Sequence, residues 1–215
     1  MALTFPLSTA QFFGGLRIVE AQLSLSESME INRTAGGEVL TADLGPRLWT
    51  GNFATRPSTY KETAQAEARL STLRQAARAF FVYDGRKQFP AADPTGSILG
   101  AATPTLAVVG VNRRDITISG LPANYVLSDG DYLSFIYNTS RFALHQIVQG
   151  ATASGAGLAT VEVTPHIREN FSLSAVTLIR PYCKAVVVPN SYLPSMGQMG
   201  RSSGFSFSCI QTLAT

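Results

Sequence analysis

The sequence predicts an α+β fold that is mainly antiparallel β, with one main helix in the first domain and an inserted small all-β barrel or sandwich domain. Several short runs alternate apolar and polar residues, which is typical of strands with one buried face. One run has the three- and four-residue spacing of an amphipathic helix. Short strand-like runs separated by turn residues dominate the middle of the chain.

The composition favours a folded subunit that buries surface against neighbouring chains. Of the 215 residues, 45% are hydrophobic and 14% are charged, and the formal net charge is +3. So few charges exclude a long disordered protein and suit an interface, whose core is depleted in charged residues. Lysines and arginines are scattered along the chain, which argues against a dedicated nucleic-acid-binding surface.

The first strands are predicted on either side of a glycine turn. Residues 16–32 alternate with a period of two and are expected to bury one face, but the phase shifts near 26–28, which indicates a bulge or bend. Gly36 and Gly37 predict a turn. The run 48–53 is predicted to pair back on the first strand. It places three residues on one face: Trp49, Gly51 and Phe53.

One helix is predicted after Pro57. Thr59 and Glu62 have the spacing of a capping box, in which each side chain satisfies the other residue's backbone N–H. An apolar stripe follows and is expected to pack against the sheet. Its residues are Ala66, Leu70, Leu73, Ala77 and Phe80. The helix is predicted to lead into a strand over 80–83.

The rest of the chain divides into a connector, an all-β segment and two closing strands. Ile98 and Leu99 are a candidate short strand within the connector. The closing strands, over 183–188 and 205–210, are predicted to return to the first sheet. The predicted organisation is a discontinuous first domain, a linker and an inserted β-domain: residues 1–90 with 181–215, residues 91–105, and residues 106–180.

Some motifs that can carry chemistry are better explained as turns. The run 200–204 matches GxSxG, but a nucleophile elbow needs a preceding strand and a following helix, which this context does not predict. Asp129 and Asp131 flank Gly130, and Asp-Gly sequences are common turn formers. Two carboxylates are also fewer ligands than calcium takes.

The histidines and cysteines are predicted to be structural or surface residues. His145 lies in an apolar strand and His166 follows a proline, and neither has a nucleophile partner. Cys183 and Cys209 lack metal-ligand spacing and are interpreted as small core residues, with a disulfide left open. We therefore predict no catalytic, cofactor-binding or metal-binding residues, and a protein that is not an enzyme.

The ordered motifs resemble those of distal tail and minor tail-tip proteins from siphophage-like tails. The resemblance covers residues 16–212. It depends on the Trp-bearing strand 48–53, the helix ending at Leu73, the aromatic strand 80–83, and two more specific motifs, Gly130-Asp131-Tyr132-Leu133 and Val163-Thr164-Pro165-His166-Ile167-Arg168.

The resemblance implies a structural virion component. The first domain would form a homohexameric ring at the distal end of a bacteriophage tail, joining the tail tube protein to the tip or baseplate hub protein. DNA would pass through the lumen without sequence-specific binding. The protein would be assembled in the bacterial host cytoplasm, without membrane insertion, because no apolar run approaches the roughly 20 residues that a bilayer requires.

The loops at 33–47 and 189–204 are the predicted contacts between ring subunits, because edge strands and Gly-rich loops can pair with neighbours. The predicted interface residues are Gly36, Gly37, Arg47, Met196, Met199 and Arg201. Two alternatives remain open. The first is a carbohydrate-binding module for host-surface recognition, with Tyr125, Tyr132 and Tyr137 as candidate sugar contacts. The second is a tail-associated hydrolase, for which the sequence supplies no acid–base pair.

Overall fold

The computed structural model describes residues 3–137, 140–169 and 171–213. Antiparallel strands dominate these residues, which contain a single α-helix. The predicted α+β class is therefore confirmed. The predicted chain ends of the first domain, at residues 1 and 215, lie outside the described residues.

The first helical element is a short 3₁₀ helix, Phe13–Gly15, and the α-helix is α1 (Tyr60–Leu73). The strands, in chain order, are β1 (Ile18–Leu25), β2 (Met29–Arg33), β3 (Val39–Asp43), β4 (Trp49–Thr55), β5 (Phe80–Tyr83), β6 (Thr105–Val109), β7 (Asp115–Ser119), β8 (Val126–Leu127), β9 (Tyr132–Tyr137), β10 (Arg141–Gln149), β11 (Ala151–Thr152), β12 (Ala159–Thr164), β13 (Val176–Thr177), β14 (Tyr182–Val187), β15 (Gly197–Gln198), β16 (Arg201–Ser202) and β17 (Ser206–Gln211).

The chain forms two compact units. The helix unit consists of Arg17–Gln75 and Val186–Thr212, and the β unit consists of the described parts of Met1–Leu16, Ala76–Ala185 and Leu213–Thr215. These bounds differ from the predicted division at residues 90 and 181. The β unit includes residues 76–90 and 181–185, because β5 pairs antiparallel with β14 from Phe80 to Tyr83.

The helix unit contains the antiparallel order β1–β4–β17. Trp49, Gly51 and Phe53 share the buried face of β4, as predicted. In β17, Phe207 and Cys209 are buried, while Ser206 and Ser208 are half-buried. The predictions that β4 pairs back on β1, and that the last strand returns to this sheet, are confirmed.

Helix α1 begins where the capping box predicts. Thr59 Oγ1 accepts a hydrogen bond from the Glu62 N–H, and Glu62 Oε2 accepts one from the Thr59 N–H, each at 3.4 Å. Leu70 and Leu73 are buried, but the predicted stripe is too long. The helix ends at Leu73, and Ala77 is an exposed residue in the left-handed region, with a φ of 60°. The chain turns there to enter β5.

The β unit contains a six-stranded antiparallel sheet in the order β13–β9–β10–β12–β7–β6. Its two edges meet, because the Leu106 N–H donates to the Ser174 carbonyl and the Val176 N–H donates to the Pro104 carbonyl. The sheet therefore curls around its core, as in the barrel alternative of the prediction. That core includes Leu106, Ile116, Ile118, Leu133, Phe135 and Val161.

The segment predicted as a linker, residues 91–105, packs into the β unit. Leu99 is buried in the core, and Ile98 and Leu99 form a turn rather than the candidate short strand. The reason is Asp93, a buried residue whose two carboxylate oxygens accept hydrogen bonds from the Ile98 and Leu99 N–H groups at 3.2 and 2.8 Å. These bonds replace the ladder hydrogen bonds that a strand would need.

Candidate interaction surface

Strands β2 and β3 form a two-stranded antiparallel hairpin, which we call the hairpin. Its register pairs Met29 with Asp43, Ile31 with Thr41, and Arg33 with Val39. The turn contains Gly36 and Gly37, as predicted. Gly37 has a φ of 86°, a left-handed conformation that glycine adopts without a steric penalty.

Both faces of the hairpin are exposed. Met29, Ile31 and Val39 lie on one face with exposed fractions of 45%, 57% and 56%, and Leu40 lies on the other with 56%. The expectation of a buried face over residues 16–32 is therefore wrong beyond Leu25. The alternation continues into β2, but nothing in the described chain covers its apolar side.

The base of the hairpin is held firmly. The Ser26 carbonyl accepts a hydrogen bond from the Arg47 Nε–H at 3.1 Å. The Ser28 carbonyl accepts one from the Leu44 N–H at 2.9 Å. Ser26 Oγ also accepts the Leu48 N–H at 3.0 Å. Arg47, a predicted interface residue, thus helps to fix the point from which the hairpin extends, at the break predicted near 26–28.

The second predicted interface segment, residues 189–204, is tied to α1 by a single carboxylate. Glu67 Oε1 accepts hydrogen bonds from Tyr192 Oη at 2.8 Å, the Ser195 N–H at 3.0 Å and Ser195 Oγ at 2.8 Å. Burial opposes ionisation, but the hydrogen bonds from Ser195 and Tyr192 outweigh it and lower the pKa of Glu67. Glu67 was not among the predicted site residues, because its partners lie more than a hundred residues away.

Within this segment β15 and β16 form a small hairpin with Met199 and Gly200 in its turn. Met196 and Met199 are highly exposed, and Arg201 is also exposed. The GxSxG run therefore contains the turn residue Gly200 and the strand β16, and it leads into β17 rather than into a helix. Sequence patterns did not signal Arg17 and Arg56, which line one cavity together with Arg201.

The acidic turn at Ser128–Asp131 is structural. Asp129 Oδ1 accepts the Gly150 N–H at 2.7 Å, and the Asp131 carboxylate accepts the Ala91 and Ser128 N–H groups at 2.9 Å each. The carboxylates of Asp129 and Asp131 therefore both accept hydrogen bonds from backbone N–H groups. Residues 3–137, 140–169 and 171–213 contain no group of three or more His, Cys, Asp or Glu residues placed to hold a metal ion.

The candidate sugar contacts Tyr125, Tyr132 and Tyr137 are buried, so their rings cannot stack on a carbohydrate from solution. This part of the carbohydrate-binding alternative is wrong. Tyr125 and Tyr137 belong to the core of the β unit, and the buried ring of Tyr132 has Lys87 Nζ 4.9 Å from its centroid. Cys183 and Cys209 are both buried thiols in the described chain, consistent with their interpretation as core residues.

His145 belongs to a buried network. Its Nδ1–H donates to the Pro165 carbonyl at 2.7 Å, and its Nε2 lies 3.5 Å from Tyr137 Oη, which accepts the Arg168 N–H at 3.0 Å. The ring also stacks on Phe135 with centroids 5.2 Å apart. Burial lowers the pKa of His145 to about 4, although the hydrogen bond to Pro165 opposes that shift.

We expect His145 to make the protein acid-sensitive. An unfolded histidine has a pKa of about 6.5, so below that pH the unfolded chain binds a proton that the folded chain excludes. The stabilisation is complete above about pH 6.5 and is lost as the pH falls towards about 4. Between about pH 7 and about pH 5 the free energy of unfolding should fall by about 2 kcal/mol, measured by urea denaturation.

His145→Gln should remove most of this pH dependence. His166→Gln is the control, because His166 is exposed and contributes less than burial to the lowered pKa of His145, so this variant should retain most of the dependence. An identical pH dependence in wild type and His145→Gln would show that the buried imidazole is not responsible.

The arrangement as a whole can present apolar surface to another chain, through the hairpin and through Met196 and Met199. The described residues contain no helix with the length and apolar character needed to cross a bilayer. Comparison of the chain with protein-family models and with curated proteins gives no match.

Proposed function

We propose that this protein is a structural subunit of a phage-type tail, which assembles through the hairpin into a ring at the distal end of the tail tube. The observation that carries the proposal is the exposure of both hairpin faces, with apolar side chains on each. An isolated two-stranded hairpin is marginally stable in water, and it becomes stable when another strand or surface covers it.

A neighbouring copy of the chain is the simplest partner that could bury the apolar faces of the hairpin. Head-to-tail contacts, in which one surface of a subunit binds a different surface of the next, close into a ring when the rotation permits. The exposed edges of β2 and β3 can add strands from a neighbour, and the low charge of the chain suits a large buried interface.

The resemblance to distal tail proteins supplies the remaining details of the proposal. It supports a hexamer that joins the tail tube to the tip hub and lets DNA pass through its lumen. Such a lumen requires no base-specific contacts with DNA, in keeping with the scattered basic residues. Met196 and Met199 supply a second exposed apolar surface for a neighbour or for the hub.

The test is the mass of the purified protein by multi-angle light scattering, with negative-stain images of the same sample. We expect a ring with a mass near six times 23.0 kDa. A monomer at every concentration, or a closed dimer without a lumen, would contradict ring assembly by this chain alone.

A further inference from the structure

Three arginines line one open cavity in the helix unit. Arg17, Arg56 and Arg201 share a cavity of about 450 Å³ with Glu62 and the residues that precede α1. A cavity of this size lies within the range of small-molecule sites. Its lining is positively charged overall, because it contains three guanidinium groups and one carboxylate.

Backbone hydrogen bonds fix the positions from which the three exposed arginine side chains extend. Arg17 comes directly before β1 and Arg56 directly after β4, and the Arg56 N–H donates to the Arg17 carbonyl at 2.9 Å. Arg201 enters from β16, where Ser202 and Ser58 exchange two backbone hydrogen bonds of 2.9 and 3.2 Å. The cavity is therefore built by strand ends rather than by mobile side chains alone.

Glu62 neutralises one of the three arginines. Its Oε1 lies 3.0 Å from Arg17 Nη2, and its Oε2 is occupied by the Thr59 N–H of the capping box. The guanidinium groups of Arg56 and Arg201 form no hydrogen bond or ion pair within the described ranges 3–137, 140–169 and 171–213. Two positive charges thus face the cavity without a counter-charge.

We propose that this cavity binds a dianionic phosphate group, as carried by a phosphate monoester. The planar guanidinium fork matches a phosphate through paired hydrogen bonds. A monoester carries about two negative charges at neutral pH, which balances the two uncompensated arginines. A phosphodiester carries one charge and would leave one arginine unbalanced. The proposal requires nothing of the ring assembly and can be tested on a monomer or on a ring.

The test is isothermal titration calorimetry of the full chain with inorganic phosphate at neutral pH, with ionic strength held constant by chloride. We expect saturable binding that the double variant Arg56→Ala/Arg201→Ala weakens by about tenfold or more. The matched control is Arg114→Ala, which removes an exposed arginine of the β unit and should leave the affinity unchanged. Circular dichroism of each variant checks that the fold is retained.

Two further measurements sharpen the test. Dimethyl phosphate, a monoanionic diester, should bind about tenfold more weakly than inorganic phosphate, because it leaves one charge unbalanced. The Arg56→Lys variant keeps the charge but loses the planar fork, and should bind with intermediate affinity. The proposal is overturned by equal affinity for the diester, by equal weakening in Arg114→Ala, or by no saturable binding in wild type.

Discussion

Replacement of Asp93 by alanine is expected to lower the free energy of unfolding by about 3 kcal/mol. The carboxylate is buried and accepts the N–H groups of Ile98 and Leu99, and Tyr125 Oη lies 3.5 Å from its Oδ2. Alanine removes the acceptor and leaves buried donors without a partner, which costs about 1–3 kcal/mol per group. Urea denaturation followed by circular dichroism measures the loss.

Two controls separate this effect from a general loss of an acidic residue. Asp93→Asn retains one oxygen acceptor and should cost about half as much as alanine. Asp43→Ala, on the exposed hairpin, should change the stability by less than about 0.5 kcal/mol, because that carboxylate forms no hydrogen bond or ion pair within the described residues. A loss for Asp93→Ala no larger than that for Asp43→Ala would contradict the proposed role.

Exchange of the Ile98 and Leu99 amide hydrogens gives a local measure of the same effect. Both amides should be protected in wild type and should exchange faster in Asp93→Ala, since exchange requires the hydrogen bond to open. Unchanged protection in the variant would mean that the turn holds its shape without the carboxylate.

Asp93 also shows why residues 91–105 resembled a linker in the sequence. Their composition of proline, glycine, alanine and serine is typical of a connector, and no period indicates burial. The order of this segment depends on the Asp93 carboxylate, on the Asp131 carboxylate that accepts the Ala91 N–H, and on the packing of Leu99 into a core formed by distant strands. The Asp93 bonds span only five and six residues but match no recognised sequence motif, and Asp131 lies 40 residues from Ala91. The capping box of Thr59 and Glu62 matches a known motif and was therefore predictable.

The hairpin shows a second limit of structure prediction from sequence patterns. Alternation of apolar residues predicts a face that is removed from water, but it does not say which chain removes it. Leu23 is buried within its own unit, whereas Met29 and Ile31 continue the alternation and are exposed. The prediction of a strand was right and that of intrachain burial was wrong. If the hairpin is covered by a neighbouring subunit, as we propose, the alternation in β2 reflects burial between chains rather than within one chain.

The arginine cavity could not be predicted from the sequence for a related reason. Arg17, Arg56 and Arg201 come from three separated segments and were part of a scattered basic set. Only the pairing of strand ends brings them together. Arg201 was singled out as an interface residue because of its Gly-rich loop, and its place beside two other arginines suggests a separate role.

The double variant Ile31→Lys/Val39→Lys is expected to convert the proposed ring into monomers. Both side chains lie on one face of the hairpin and are more than half exposed in the single chain. Burying two such side chains contributes about 3–6 kcal/mol per interface, and charged replacements oppose burial further. Each contact should therefore weaken by roughly two to four orders of magnitude, which light scattering detects as a loss of the ring mass.

The matched control is Val108→Lys/Val111→Lys in the β unit. Val108 has an exposed fraction of 57%, as Ile31 does, and the double substitution adds the same charge. The ring should persist in this control, because the β unit is not proposed to form it. If both double variants dissociate, added charge rather than the hairpin explains the result. If Ile31→Lys/Val39→Lys remains a ring, the hairpin is not the contact, and the apolar side chains of its two faces need another partner.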